Sequence, residues 1–276
     1  MNHIDKGAAI REVRWQAHQN SNSEAPENTM TSIQYAWDLG GIPEIDIRQT
    51  ADGIIVGFHD ATPKRTTTAP EAYQDTDISE LTYAQLHQWD AGVKFGQRFQ
   101  GEKVPALEQV LVLLANHPER EVYLDYKQVD LTKLAELLHR YKVEEQIIFA
   151  HNDHENCKTI KRLVPEIRTM LWIPGRVPET TVQKVASVRE TGFDSLDIIQ
   201  LHLVDAEEKG TWRYRLERSF VQETYQQLKD AGLELEVLPY GFDRDDLFDL
   251  LHMGIRRYAI DEPKVFTNTL QLYANS

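Results

Sequence analysis

The sequence predicts an α/β protein, and three observations lead there. From residue 121 to 262, short apolar runs alternate with amphipathic stretches of about ten residues, the pattern of parallel strands joined by crossover helices. The first 60 residues open in the same way, as strand, helix and strand. A length of 276 residues is long for one sandwich but ordinary for one α/β barrel. About nine strand candidates are present, two of them joined as a hairpin. Eight barrel strands are therefore the natural fit, and a doubly wound open sheet is the alternative.

Residues 13–17 read as the first strand, ending in His18-Gln19-Asn20. Pro26-Glu27-Asn28-Thr29 opens a helix: Asn28 or Thr29 can cap it, and Met30, Ile33, Ala36 and Trp37 recur at helical spacing. Gly40 ends it. Residues 40–60 then carry two strands across Asp52-Gly53, the strongest short hairpin signal. From 61 to 105 the pattern lapses into Thr66-Thr67-Thr68, Pro70 and the glycines Gly92, Gly96 and Gly101. That stretch is too long for a plain connection and reads as a small insertion or lid. Helical spacing resumes at 107–114, and strand 121–127 follows. Helix 131–141 turns Leu134, Leu137 and Leu138 inward. Strands at 146–150, 169–173, 195–201, 233–238 and 258–260 then alternate with helices at 155–164, 179–190, 220–231 and 243–253. No repeat, low-complexity tract or linker interrupts the series, so one domain over residues 1–276 is expected.

The net charge of −14 repels a phosphate backbone, which argues against a nucleic-acid partner. An anionic substrate would need positive charge supplied locally. Cys157 is the single cysteine, which rules out an internal disulfide and a cysteine zinc cage. Residues 1–15 lack the apolar run of a signal peptide, and no stretch approaches membrane-spanning length. A cytoplasmic setting without membrane insertion is the expectation. Oligomeric state is not legible.

The chemistry gathers at strand ends. Glu44 and Asp46 are separated by one residue, so on a strand both carboxylates face the same way. The hairpin returns through Ile54-Ile55-Val56-Gly57-Phe58 to His59-Asp60, which can bring His59 level with the acids. His18, Asp125 and Lys127 lie at other strand ends of the first half, and in a barrel such ends meet at one mouth. Carboxylate oxygens suit Mg²⁺ or Ca²⁺. Two histidines can act as acid and base near neutral pH. A lysine can neutralise charge developing on a phosphoryl oxygen. The set suits metal-assisted cleavage of a phosphodiester, whereas solvated strand ends or a surface Asp125–Lys127 ion pair are the plainer readings. Glu27 is explained equally by a contact with the site or by the helix dipole, and Arg65 reads better as a structural residue of the insertion. His151-Asn152-Asp153-His154 looks like a metal site but is better explained as a helix cap. Trp172, Trp212 and Tyr240 rank low as pocket walls.

Across nearly its whole length the chain resembles the glycerophosphodiester phosphodiesterase family. The family's His-Arg-Gly and Pro-Glu-Asn-Thr are similar to His18-Gln19-Asn20 and Pro26-Glu27-Asn28-Thr29. Its Glu-x-Asp and Thr-x-Asp-Gly match Glu44, Asp46 and residues 50–53. Its His-Asp and Arg-Thr-Thr match His59-Asp60 and residues 65–67. Gly-Glu-x-Val-Pro-x-Leu-Glu matches residues 101–108, and a closing Thr-Asp-x-Pro resembles Ile260-Asp261-Glu262-Pro263. The resemblance implies a TIM (β/α)8 barrel with a small insertion after the hairpin strand. It implies a divalent metal on Glu44, Asp46 and a third acid, here Asp125, with His18 and His59 as general acid and base. It implies hydrolysis of a small glycerol-linked phosphodiester to glycerol phosphate and an alcohol. The sequence departs from the family at Gln19 for Arg, Asn20 for Gly and Asp125 for the usual Glu. Leu238-Pro239-Tyr240-Gly241 stands where the family carries Trp-Thr-x-Asn. Gln19 lacks the charge and fork of the phosphate-binding Arg. It therefore stands as a substrate contact suited either to a different phosphodiester or to a weak enzyme that only binds one.

Overall fold

The computed structural model describes residues 6–20, 23–208 and 210–275. In chain order the elements are α1 (Lys6–Arg11), β1 (Arg14–Ala17), α2 (Met30–Asp38), β2 (Ile42–Gln49), β3 (Ile55–Gly57), α3 (Tyr83–Gln88), α4 (Leu107–Asn116), β4 (Val122–Gln128), α5 (Leu131–Tyr141) and β5 (Ile147–His151). They continue as α6 (His154–Leu163), β6 (Arg168–Ile173), α7 (Pro178–Glu190), β7 (Ile198–Leu203), α8 (Arg218–Asp230), β8 (Glu234–Pro239), α9 (Arg244–His252), β9 (Arg257–Ile260) and α10 (Pro263–Ala274). Strand order is β1-β9-β8-β7-β6-β5-β4-β2-β3, with β1 also beside β2. This is the (β/α)8 barrel, with β3 as an added hairpin strand. No helix among the described residues is long and apolar enough to cross a membrane.

The chain divides into two compact units. The first comprises Ala17–Ala150 and Thr159–Arg168. Here β2 pairs antiparallel with β3, from Ile47 opposite Gly57 to Gln49 opposite Ile55. On its other side β2 runs parallel to β4, which in turn runs parallel to β5. The hairpin turn forms because Gly53 takes the left-handed φ of 82° and Thr50 Oγ1 accepts from the Ile54 N–H. Helix α2 is capped by Thr29, whose side chain accepts from the Ser32 N–H. In α5 the Asp130 carboxylate accepts from Thr132 and Lys133, while Leu134, Ala135 and Leu138 are buried.

Residues 61–105 pack with the end of the hairpin strand in one apolar cluster. Phe58, Ala69, Ile78, Leu81, Leu86, Trp89 and Val104 are buried together. The loops of this stretch are tied by side chain to backbone. The Asp90 carboxylate accepts from Gly92, Val93 and Gly101 N–H groups. A Cβ at Gly92 would lie 2.2 Å from the Phe99 carbonyl oxygen, so only glycine fits there.

The second unit holds Met1–Gln16, His151–Lys158 and Thr169–Ser276. Within it β6, β7, β8 and β9 run parallel. A buried polar core sits on these strands. Gln200 Nε2 donates to Gln16 and Glu236, and the Glu236 carboxylate lies 3.5 Å from Arg257. β7 begins three residues later than its apolar pattern predicts, at Ile198. Phe193 and Ser195 have φ of 57° and 58°, which no strand accommodates. Helices α1, α3 and α10 are additions to the predicted series.

Candidate active site

Register brings the acids together. Glu44 and Asp46 are two residues apart on β2, and Asp125 is the β4 partner of Asp46. All three therefore face one side of the sheet. They are buried, and one oxygen from each lies within 4.8 Å of the others. The Gln19 N–H donates to Glu44 Oε2 at 2.5 Å. Lys127 Nζ lies 2.6 Å from Asp125 Oδ2 and 3.1 Å from Asp46 Oδ1. Burial, reinforced by Asp46, pushes the Glu44 carboxyl up to about 8, although His18 and Lys127 pull the other way. Burial works against the Lys127 charge, but Asp125 and Asp46 outweigh it and hold the ammonium well above the usual lysine range.

The donor set fits a hard divalent cation. Three buried carboxylates face one ammonium, more acid than Lys127 alone can neutralise. An all-oxygen set of this kind suits Mg²⁺ or Ca²⁺.

The histidines are held separately. His18 opens a turn of 3-10 helix, His18–Asn20, in which Gln19 takes a left-handed φ of 43°. Its imidazole interacts with the Glu44 carboxylate. His59 follows β3, and its carbonyl accepts from Arg48 Nε and Nη2 at 3.0 and 2.9 Å. Its ring Nδ1 lies 2.8 Å from Asp60 Oδ1. Arg65 donates to both oxygens of Asp60 and to both of Glu27. Chiefly through the Arg65 hydrogen bonds, the Asp60 carboxyl is lowered to about 2.

All seven residues singled out as catalytic, substrate-binding or metal-binding lie in the first unit. The structure gathers Glu44, Asp46, Asp125 and Lys127, with His18 and the Gln19 backbone against Glu44. Glu27 pairs with Arg65, and Arg65 reaches back to the residue after His59. The 151–154 cluster behaves as a cap: Asp153 Oδ1 accepts from the Glu155 N–H, and His154 Nε2 is engaged by the Asp194 carbonyl. In the second unit Trp172 stacks on His202 at 5.3 Å, and Tyr240 meets the same ring edge-on. Trp212 donates to the Leu216 carbonyl.

Two residues escaped the sequence reading. Asn28, read as a possible cap, instead hydrogen-bonds Asp46. Asp60 stands out in the sequence only as the neighbour of His59. An acid adjoining a histidine was the available signal.

Fold and site thus describe an α/β barrel carrying a buried acidic cluster beside a lysine. The chain belongs to the glycerophosphoryl diester phosphodiesterase family, whose profile matches residues 18–264. It is 31% identical over 160 residues to a glycerophosphodiester phosphodiesterase of Caldanaerobacter subterraneus, covering 55% of this chain and 63% of that protein. The chain thus matches somewhat under two thirds of that relative's length. Among solved structures it is similar to a glycerophosphodiester phosphodiesterase of Agrobacterium tumefaciens, with TM-score 0.71, 23% identity and coverage of 93% of this chain and 99% of the other. It is also similar to an Oleispira antarctica phosphodiesterase in complex with the product sn-glycerol-3-phosphate, with TM-score 0.69, 22% identity and coverage of 97% and 99%.

Proposed function

We propose that this protein is a metal-dependent phosphodiesterase that hydrolyses a small glycerol-linked phosphodiester to a phosphomonoester and an alcohol. The observation that carries the reading is the buried Glu44–Asp46–Asp125 cluster with the Lys127 ammonium set against two of its members. Glu44, Asp46 and Asp125 would hold Mg²⁺ or Ca²⁺, which when bound supplies Lewis-acid stabilisation of phosphoryl oxygens. The chain's own residues do the rest. Lys127 offers a fixed positive charge to a phosphoryl oxygen, in a site where burial strengthens it. Its rigid pairing with Asp46 and Asp125 fixes where that charge sits. One imidazole takes the proton from the attacking water, or from a substrate hydroxyl whose cyclic product water then opens, as a new P–O bond forms. The other gives a proton to the alcohol oxygen as its bond to phosphorus breaks. His18 and His59 fill these roles. The Asp60 contact on Nδ1 leaves His59 Nε2 as its proton-transfer nitrogen. Gln19 contacts substrate as a neutral donor, which favours a phosphodiester less dependent on a bidentate cation than one bound by Arg.

Turnover of a glycerophosphodiester panel with Mg²⁺, Ca²⁺ or EDTA tests this. Cation-dependent hydrolysis, lost in Asp46→Asn and in the His18→Ala, His59→Ala double variant, is expected. Folded protein that binds a phosphodiester without cleaving it under any of these conditions would replace the reading with that of a binding protein.

A further inference from the structure

Resting on His59 as a proton carrier, we propose that Arg65 is a positioning residue for that histidine: its guanidinium locks Asp60, and Asp60 sets which imidazole nitrogen carries the proton. Arg65 Nε and Nη2 reach the two Asp60 oxygens at 2.7 and 2.9 Å. Its Nη1 and Nη2 reach the two Glu27 oxygens, each at 2.7 Å. Both carboxylates are gripped by a planar fork, a geometry lysine does not reproduce. Asp60 Oδ1 is shared between Arg65 Nη2 and His59 Nδ1. The shared oxygen accepts from both, so Nδ1 carries the hydrogen and Nε2 is presented for proton transfer.

The arrangement continues through the turn before α2. Glu27, which holds the far side of Arg65, is followed by Asn28, which holds Asp46. One short turn therefore fixes both a metal-ligand candidate and the arm that orients His59. The Arg65 side chain is 51% exposed, so packing into the core does not explain its four hydrogen bonds.

Steady-state kinetics on the glycerophosphodiester that the panel shows to be turned over fastest decide the matter, using wild type, Arg65→Gln, Arg65→Lys, His59→Ala and the Arg65→Gln, His59→Ala double variant with saturating divalent cation. Arg65→Gln is expected to lower kcat about 10- to 100-fold with KM within about twofold. It should cost nothing further in the His59→Ala background. Arg65→Lys, which keeps the charge and loses the fork, should recover only part of the loss. Nitrogen NMR of the neutral His59 ring should show the Nδ1–H tautomer in wild type and a mixture in Arg65→Gln, whether or not the protein turns over. An Arg65→Gln protein with unchanged kcat, or with the same fractional loss in both backgrounds, overturns the positioning role and leaves the functional reading standing. Inert wild-type protein removes the functional reading instead, and an unchanged His59 tautomer in Arg65→Gln then removes the positioning role as well.

Discussion

Asn28 grips Asp46 at two points: its Nδ2 donates to Asp46 Oδ2 at 2.8 Å, and its Oδ1 accepts from the Asp46 N–H at 3.0 Å. Asn28 reaches this position in the left-handed region, at φ 53°, where asparagine is among the few tolerated residues. The paired bonds fix the Asp46 carboxylate in one orientation. Asn28→Ala should weaken divalent-cation affinity about 10- to 100-fold, the usual cost of losing a group that orients a metal ligand. Isothermal titration with Ca²⁺ and Mg²⁺ measures this, and an unchanged affinity would show that the grip serves folding alone.

Lys127 is the ammonium that Asp46 and Asp125 share. Lys127→Met leaves buried carboxylates facing one another. In EDTA the variant should lose about 3 kcal/mol of stability, since breaking a buried ion pair strands the remaining charge. Added divalent cation should restore much of that loss. Urea unfolding with and without cation reads both effects, and equal stability of variant and wild type in EDTA would contradict the assignment.

The Asp60 carboxyl is lowered to about 2 from an ordinary 3.8 through its bonds to Arg65 and His59. A depressed acid contributes stability that is fully present above its unfolded value and is lost as pH falls through the folded one. The contribution should therefore disappear between about pH 4 and 2, and it is on the order of 1–2 kcal/mol after allowing for partial exposure. Asp60→Asn should narrow the gap in stability between pH 6 and pH 2.5 by about that amount. Parallel acid titrations of the two proteins, followed by circular dichroism, provide the comparison.

The sequence carried the barrel further than the site. Residues 131–141 are a helix to the residue because Asp130 caps it and its leucines follow helical spacing. Asp52-Gly53 made the hairpin legible, and with it the shared face of Glu44 and Asp46. Strand register then placed Asp125 opposite Asp46, which spacing along the chain does not reveal. Helix α10 lies beyond the predicted series although Pro263 at its first turn and the Phe266, Leu270, Tyr273 spacing mark it in the sequence. Residues 61–105 lack periodicity because bonds such as those to the Asp90 carboxylate hold them, rather than one amphipathic face. Asn28 was hidden by its neighbour: Thr29 caps the helix, and the partner of Asn28 lies 18 residues away on β2.

Gln19 gives its backbone N–H to Glu44 and stands where the family has a phosphate-binding Arg. Gln19→Arg adds a charge-assisted hydrogen bond worth about 1.5–3 kcal/mol to a phosphoryl oxygen, less what the left-handed backbone withholds in alignment. We expect a rise of about tenfold in kcat/KM on glycerophosphodiesters. A fall would show that the pocket is built around the neutral side chain.

The most direct test of the account is phosphorus NMR of a glycerophosphodiester mixed with the protein, first in EDTA and then with Ca²⁺ or Mg²⁺. The account predicts that the phosphodiester resonance persists in EDTA and gives way to a phosphomonoester resonance once cation is added, with no such change for Asp46→Asn. A phosphodiester resonance that stays intact beside folded, cation-saturated wild-type protein across the panel would contradict it.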